Sequence, residues 1–195
     1  QNTLKFSNVE EISTGIIKDQ LESVLSDFKI DAIKIGMVYS SSVIRAIYSK
    51  LKGKKIPMVL DPVFKSTTGG VLLQTDALPD FKRMLAPLAF VITPNIMEAE
   101  RLTGMRIRTR NDVRRAAVQI QQMGAKNVVI KGGHLNGKNV TDFVLEGTRF
   151  YSFSGKRTLH TNHGGGCSFS ASLAVSLAKG RTLSDSVKFA KEFTM

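Results

Sequence analysis

The sequence predicts an α/β fold: a doubly wound, mostly parallel sheet with helices on both faces and an antiparallel hairpin at one edge. Short apolar runs alternate with amphipathic segments along the chain, which is typical of parallel strands crossed by helices. The apolar runs are nearly continuous in Val, Ile and Leu, as in strands that are buried on both faces. Two later runs separated by Glu146-Gly147 break this rhythm and indicate the hairpin.

Each element is predicted from its own pattern. The parallel strands are expected at 31–37, 56–61, 89–93 and 127–131, and the hairpin strands at 140–145 and 148–153. Helical periodicity predicts helices at 9–27, 40–52, 75–86, 95–103 and 111–123. Asn111 fits an N-cap, and Gly124 fits the position just beyond a helix end. A further helix is expected to open at Cys167 and to end at Gly180, and a helical pattern continues to the last residues.

The composition is that of a globular protein. With 195 residues, the chain is long enough for one domain with a substantial core, and we expect a single domain over 1–195. No apolar run reaches the roughly 18 residues of a membrane span, and the first residues show no signal-peptide pattern. The single cysteine cannot form an internal disulfide, which favours a reducing cytoplasm.

The chain is basic, with 28 Lys and Arg against 16 Asp and Glu and a net charge of +12. Such a charge suits nucleic acid or an anionic small substrate. The densest basic stretches, 50–55 and 106–110, contain no aromatic residue, and the chain has no Trp, which disfavours binding to single strands. We therefore expect a small anionic ligand rather than nucleic acid.

The stretch 160–169 carries the most informative motif. Gly164, Gly165 and Gly166 run into Cys167 and a helix of small, apolar residues. Free N–H groups and the dipole at a helix N-terminus bind anions, phosphate above all, and a thiol there is expected to have a pKa below its free value of about 8.5. A lone cysteine is more often an inert, buried thiol, but the glycine run favours a reactive one. The motif predicts phosphoryl transfer.

Polar residues follow the predicted parallel strands, where open α/β sheets bind ligands. Asn95 and Glu98 could orient Mg²⁺ and its waters, or they could form a capping box. Asp61 could hold a metal or a substrate, or it could simply end a strand before proline. Lys131 could contact phosphate, or it could be a solvated lysine beside a glycine turn. The residues alone leave these alternatives open.

Histidines near the cysteine allow a zinc site in principle. A structural zinc ion needs four ligands at recognised spacings. Here the only candidates are Cys167 with His134, His160 and His163, and glycines fill the gap between them. We expect no metal apart from the Mg²⁺ that accompanies a nucleotide.

Taken together, these residues resemble the ribokinase-like kinases, and most closely the hydroxymethylpyrimidine/phosphomethylpyrimidine kinases of thiamine biosynthesis. The resemblance covers essentially the whole chain and rests on five motifs in the family's order: Lys34-Ile-Gly-Met37, Val59-Leu-Asp-Pro-Val63, Thr93-Pro-Asn-Ile-Met-Glu-Ala-Glu100, Lys131-Gly-Gly-His134 and His163-Gly-Gly-Gly-Cys167. Gly-Gly-Gly-Cys replaces the family's Gly-Thr-Gly-Cys, which keeps the backbone donors. The resemblance implies that MgATP phosphorylates 4-amino-5-hydroxymethyl-2-methylpyrimidine and then its monophosphate.

The resemblance also implies a role for each site residue. The catalytic base is matched by Cys167, and the anion hole is matched by Gly164, Gly165 and Gly166. Residues that bind ATP and its magnesium ion are matched by Asp61, Asn95, Glu98 and Lys131. Residues that line the pyrimidine pocket are matched by Gln1, Met37 and Val63.

Against the family pattern, an N-terminal strand and substrate loop before Gln1 and a short stretch after Met195 are missing, so we expect a fragment. A homodimer and a fusion to another domain are both compatible with the resemblance. The nearest alternative function is a pyridoxal or pyridoxine kinase of the same fold. Another is a module that binds nucleotide or nucleic acid without turnover. A steep salt dependence of binding to nucleic acid would support such a non-catalytic binder.

Overall fold

The computed structural model describes residues 6–66, 68–132, 139–156 and 164–194. Six strands form one sheet in chain order: β1 (Ile33–Ile35), β2 (Met58–Leu60), β3 (Val91–Ile92), β4 (Asn127–Ile130), β5 (Asn139–Glu146) and β6 (Arg149–Lys156). Strands β1 to β4 pair in parallel, whereas β5 and β6 form an antiparallel hairpin at the edge next to β4. The predicted fold class is confirmed, although the parallel strands are shorter than expected and the hairpin strands are longer.

The helices are α1 (Thr14–Asp27), α2 (Ser41–Leu51), α3 (Leu78–Asp80), α4 (Ile96–Thr103), α5 (Arg110–Gln121), α6 (Gly165–Ala178) and α7 (Leu183–Thr194). The single turn α3 lies within an irregular helical stretch that also contains the 3₁₀ turns Thr75–Ala77 and Ala86–Leu88 and the π-helical turn Phe81–Leu85. Helical turns therefore cover the predicted segment 75–86, but they form a series of short turns rather than one α-helix. Pro79 and Pro87 each lie in the first turn of a short segment, the position that a residue without a backbone N–H tolerates best.

Capping side chains set several helix starts. Helix α1 begins at Thr14 rather than at residue 9, because Ser13 caps it. Helix α5 follows Thr109, which forms a capping box with Asp112. The prediction of Asn111 as the N-cap is wrong by two residues, since threonine followed three positions later by an acidic residue supplies both reciprocal bonds.

Two apolar layers cover the two faces of the sheet. Along β2, Met58 and Leu60 face the layer formed with α2, α4 and α5, whereas Val59 faces the layer formed with α6 and α7. This burial of alternate residues on opposite faces explains the continuous apolar runs in the sequence. The start of α6 consequently lies against the residues that follow β2 and β4, at the carboxyl edge of the sheet.

Candidate active site

Asp61 is the buried centre of the site, directly after β2, and is 1% exposed. Its Oδ1 accepts hydrogen bonds from Lys131 Nζ at 2.9 Å and from Thr93 Oγ1 at 3.3 Å. Its Oδ2 accepts a hydrogen bond from Ser170 Oγ at 3.0 Å. Thr93 follows β3, Lys131 follows β4 and Ser170 lies in α6. The Asp61 carboxylate, which follows β2, therefore joins the ends of three parallel strands to the helix that carries the cysteine.

Lys131 supplies a fixed positive charge at the end of β4. Burial disfavours its ammonium group, but the negative charges of Asp61 and Glu98 outweigh burial and raise the pKa of Lys131. Its backbone N–H donates to the Pro94 carbonyl at 2.8 Å. A Cβ added at Gly166 would lie 3.2 Å from Lys131 Nζ, so the lysine head group lies beside the first turn of α6.

The start of α6 offers the backbone donors that the glycine run predicts. Gly164 is the N-cap with φ 84°, a left-handed conformation that favours glycine. The first helical bond runs from the Ser168 N–H to the Gly164 carbonyl at 2.8 Å, so the N–H groups of the preceding three residues have no acceptor within the helix. The helix begins two residues before the predicted start at Cys167, which places Gly165 and Gly166 in its first turn. With Lys131, this turn forms what we call the anion cradle: Lys131 and residues 164–167.

Cys167 is exposed and is the third residue of α6. Partial desolvation and the negative charge of Asp61 raise the pKa of its thiol, against the opposing effect of Lys34 and Lys131. The expectation of a lowered pKa is therefore wrong. The carboxylate that the fold brings beside the helix start was not part of the sequence pattern, and it disfavours a thiolate there.

Asn95 and Glu98 form the capping box of α4. The Asn95 side chain accepts from the Glu98 N–H at 2.9 Å, and Glu98 Oε2 accepts from the Asn95 N–H at 2.7 Å. Burial raises the pKa of Glu98 to about 7, although Lys131 and the Asn95 N–H oppose this shift. The capping alternative is thus confirmed, and the carboxyl group of Glu98 is harder to ionise than that of an ordinary glutamate.

The predicted pyrimidine-pocket residues fall in different parts of the chain. Met37 follows β1, two residues beyond its end, and is 47% exposed. Val63 is half-buried, and its N–H donates to the Asp61 carbonyl at 2.9 Å. Both positions lie after strands of the parallel sheet, whereas Gln1 lies outside the described residues.

Metal-ligating side chains do not cluster in the described ranges. No group of three or more His, Cys, Asp and Glu side chains there is arranged to hold a metal ion. The zinc alternative rests on His134, His160 and His163, which lie outside the described residues.

Sequence reasoning assigned no role to Ser170, Thr93 or Lys34, although Thr93 and Lys34 lie in motifs that carry the family resemblance. Ser170 lies three residues after Cys167, and its hydroxyl also donates to the Cys167 carbonyl at 3.0 Å. The spacing i, i+3 places two helical residues on one face, so this contact was available from the sequence. Lys34 is a charged residue inside the apolar strand β1, but nothing local in the sequence links it to Cys167.

None of the helices within the described ranges is long and apolar enough to cross a membrane.

Comparison with known proteins places the chain in a family. The sequence profile of the family described as phosphomethylpyrimidine kinase matches residues 1–195. The hydroxymethylpyrimidine/phosphomethylpyrimidine kinase of Haemophilus influenzae is 43% identical over 199 aligned residues, which cover 99% of this chain and 74% of that protein. The thiamine biosynthesis bifunctional protein ThiED of Geobacter sulfurreducens is 38% identical, and the match covers 99% of this chain but 40% of that longer protein.

Solved structures agree with this placement. A phosphomethylpyrimidine kinase from Clostridium difficile superposes with a TM-score of 0.86 at 36% identity, over 100% of this chain and 80% of that one. A Bacillus subtilis pyridoxal kinase, solved as an ADP complex, gives a TM-score of 0.85 at 34% identity, over 93% of this chain and 70% of that one. Fold and sequence lead to the same result: the chain belongs to the phosphomethylpyrimidine kinase family, the ribokinase-like phosphotransferases of thiamine biosynthesis.

Proposed function

We propose that this chain transfers the γ-phosphoryl group of ATP to the hydroxymethyl group of 4-amino-5-hydroxymethyl-2-methylpyrimidine, and then a second group to the resulting monophosphate. The observation that carries the proposal is the convergence of Asp61, Lys131 and the first turn of α6 on Cys167 at one edge of the sheet. This edge is where open α/β sheets bind their ligands. The family of the chain supports the same reaction.

In this proposal the anion cradle stabilises the transferring group. The N–H groups at the start of α6 and the ammonium group of Lys131 face the negative charge that spreads over the phosphoryl oxygens. Phosphoryl transfer depends mainly on positioning and electrostatic stabilisation, and fixed donors need no rearrangement during the reaction. Asp61 holds Lys131 in place through the 2.9 Å ion pair.

Cys167 acts as the general base. The substrate hydroxyl oxygen attacks the γ-phosphorus, its proton passes to the Cys167 sulfur directly or through a water, and the bond from the γ-phosphorus to the bridging oxygen breaks to release ADP. The thiol must lose its own proton first, and the charges of Lys34 and Lys131 favour that loss. A positioned general base typically contributes about 10²–10⁴-fold in rate.

The magnesium ion that accompanies ATP fits the carboxyl edge. Asn95, Glu98 and Asp61 offer oxygen atoms, which Mg²⁺ prefers, and Mg²⁺ usually keeps several waters. Asn95 Oδ1 and Glu98 Oε2 already accept capping hydrogen bonds, which suits contacts through those waters. A nearby cation would also favour the ionised form of Glu98. When bound, Mg²⁺ neutralises phosphate charge.

The pyrimidine pocket is proposed from the family motifs. We assign Met37 and Val63 to its wall and Gln1 to hydrogen bonds with the ring, as the family motifs imply. The exposed Met37 side chain offers the flexible apolar surface that a flat ring requires. We also propose that the protein acts in the cytoplasm.

Product analysis by mass spectrometry tests this function. The protein is incubated with MgATP and, separately, with hydroxymethylpyrimidine, its monophosphate and pyridoxal. Phosphorylated pyrimidine from the first incubation supports the kinase, and product from the second shows that both transfers occur. Pyridoxal phosphate as the sole product would favour the pyridoxal kinase alternative, which the similarity to the Bacillus subtilis enzyme keeps open. Nucleotide binding without any product would leave a non-catalytic module.

A further inference from the structure

A buried ion pair joins β5 to α7, outside the anion cradle. Lys191 Nζ lies 2.8 Å from Asp142 Oδ2, and the two side chains are 7% and 6% exposed. Removing two charges from water is costly, and apolar residues of similar size are often as stabilising as a buried pair. A contribution to the stability of the fold alone therefore gives little reason for this buried pair.

The second carboxylate oxygen of Asp142 points towards the active site. Asp142 Oδ1 accepts the backbone N–H of Gly132 at 3.0 Å, and Gly132 follows Lys131 in the chain. On the other side, the N–H of Lys131 donates to the Pro94 carbonyl at 2.8 Å. The backbone is thus held on both sides of the Lys131 Cα atom, once towards β3 and once towards β5.

The backbone at Gly132 has little freedom to shift towards β5. A Cβ atom at position 132 would overlap the carbonyl oxygen of Thr141, the residue before Asp142. Gly132 is itself buried. Backbone packed this closely at Gly132 transmits the position of the Asp142 carboxylate to the preceding residue, Lys131.

We propose that Asp142 is a positioning residue, which acts through the Gly132 N–H to hold Lys131 against Asp61 and the first turn of α6. Lys191 balances the buried charge of Asp142 and fixes the orientation of its carboxylate. The effect on turnover rests on the proposed kinase function, whereas the effect on Lys131 itself does not.

Two double variants separate the hydrogen bond from the ion pair. D142N/K191M removes both charges but keeps a side-chain oxygen that can accept the Gly132 N–H. D142L/K191M has a similar volume and no acceptor. If D142L/K191M fails to fold, D142A/K191M replaces it, since alanine also lacks an acceptor. Buried polar groups left without a partner are the costly case.

The primary readout is the rate at which acetic anhydride acetylates Lys131 in the ligand-free protein, mapped by peptide mass spectrometry. We expect D142L/K191M to raise this rate by about tenfold, the shift in equilibrium that one buried hydrogen bond can supply. D142N/K191M should keep the wild-type rate. Equal Lys131 reactivity in both double variants and the wild type would overturn the proposal.

The matched control is D80N. Asp80 is also a mostly buried carboxylate, which accepts hydrogen bonds from Arg45 and Arg83 at 2.8 Å. Asp80 lies in α3 and is paired with Arg45 of α2, away from the anion cradle. If D80N is less stable but its Lys131 is acetylated at the wild-type rate, the acetylation rate reports the position of Lys131 rather than a general loss of stability. An equal increase of the Lys131 acetylation rate in D80N would contradict the proposal.

Kinetics then distinguish the two proposals. In D142L/K191M, KM for ATP should rise by about tenfold while KM for the pyrimidine stays constant, and D142N/K191M should restore the wild-type value. A wild-type protein that forms no phosphorylated product would defeat the proposed function, yet the acetylation result would still decide the role of Asp142.

Discussion

The charges around one thiol dominate the chemistry at the scale of single residues. Desolvation and Asp61 raise the pKa of Cys167, whereas Lys34 and Lys131 lower it, and the raising effects are larger. The free protein therefore holds Cys167 mainly as the neutral thiol at pH 7. If Cys167 is the base, the active form is the thiolate.

This charge balance predicts the pH dependence of kcat/KM. Because the thiolate forms only as pH rises through the raised pKa, kcat/KM should still be increasing above pH 8.5, about the ordinary pKa of a thiol. In Cys167→Asp, the base is a carboxylate that is already ionised at neutral pH, so the alkaline rise should disappear. A pH–rate series on both proteins measures this. The same alkaline rise in Cys167→Asp would assign the titration to another group.

Lys34 provides a second test of the same balance. Its positive charge favours the thiolate of Cys167, so Lys34→Met should move the alkaline rise of kcat/KM to higher pH. Lys52→Met is the control, because Lys52 lies over the Tyr48 ring, next to the end of α2. Titration of the Cys167 thiolate by its ultraviolet absorbance gives the shift directly. An unmoved pKa in Lys34→Met would remove Lys34 from the site.

At the scale of elements, the start of α6 depends on the backbone of one glycine. Gly164 has φ 84°, whereas Gly165 has no such conformation and has open space around an added Cβ. Gly164→Ala should therefore lower the free energy of unfolding by about 1 kcal/mol. Gly165→Ala should raise it by up to about 1 kcal/mol, because alanine is the better helix residue. Urea unfolding measures both, and equal effects would contradict the described helix start.

The capping box of α4 contains a carboxyl group whose titration affects stability. The pKa of Glu98 is about 7 in the folded protein, above the usual unfolded value of about 4.3. Between these values the unfolded chain loses its proton first, so this group makes the free energy of unfolding fall as pH rises.

Glu98→Gln should remove that contribution while keeping a side-chain oxygen for the cap. The decrease in unfolding free energy between pH 5 and pH 7 should be smaller in this variant than in the wild type, as measured by urea unfolding at each pH. The exposed Glu10 provides the control substitution, Glu10→Gln. A variant with the wild-type pH dependence would show that Glu98 titrates normally.

At the scale of the whole molecule, parallel strands in chain order bring distant residues to one edge. Asp61, Asn95, Lys131 and Cys167 were predictable from the sequence because each belongs to a short motif at a strand end or a helix start. Their mutual contacts were not predictable, since they depend on how α6 crosses the sheet. The raised pKa of Cys167 is one such consequence, because a helix start alone suggested the opposite direction.

The same limit applies to the elements. The parallel strands and the antiparallel hairpin at the edge followed from the apolar runs and the Glu146-Gly147 turn, whereas the order of the strands in the sheet did not. The division of 75–88 into short turns of different type did not follow either, because apolar periodicity predicts helical character but not the type of each turn. The buried pair Asp142–Lys191 was also unpredictable, since its residues lie 49 positions apart and neither belongs to a motif.

The rate of phosphopyrimidine formation by wild type and by Cys167→Ala, at saturating MgATP and hydroxymethylpyrimidine, tests most directly whether the cradle and its thiol catalyse the transfer. We predict that the wild type forms the product and that kcat falls by about 10²–10⁴-fold in Cys167→Ala. The affinity for ATP, measured by calorimetry, should stay nearly constant, because the backbone donors and Lys131 remain. A Cys167→Ala variant with the wild-type kcat would contradict the role of the thiol as the base.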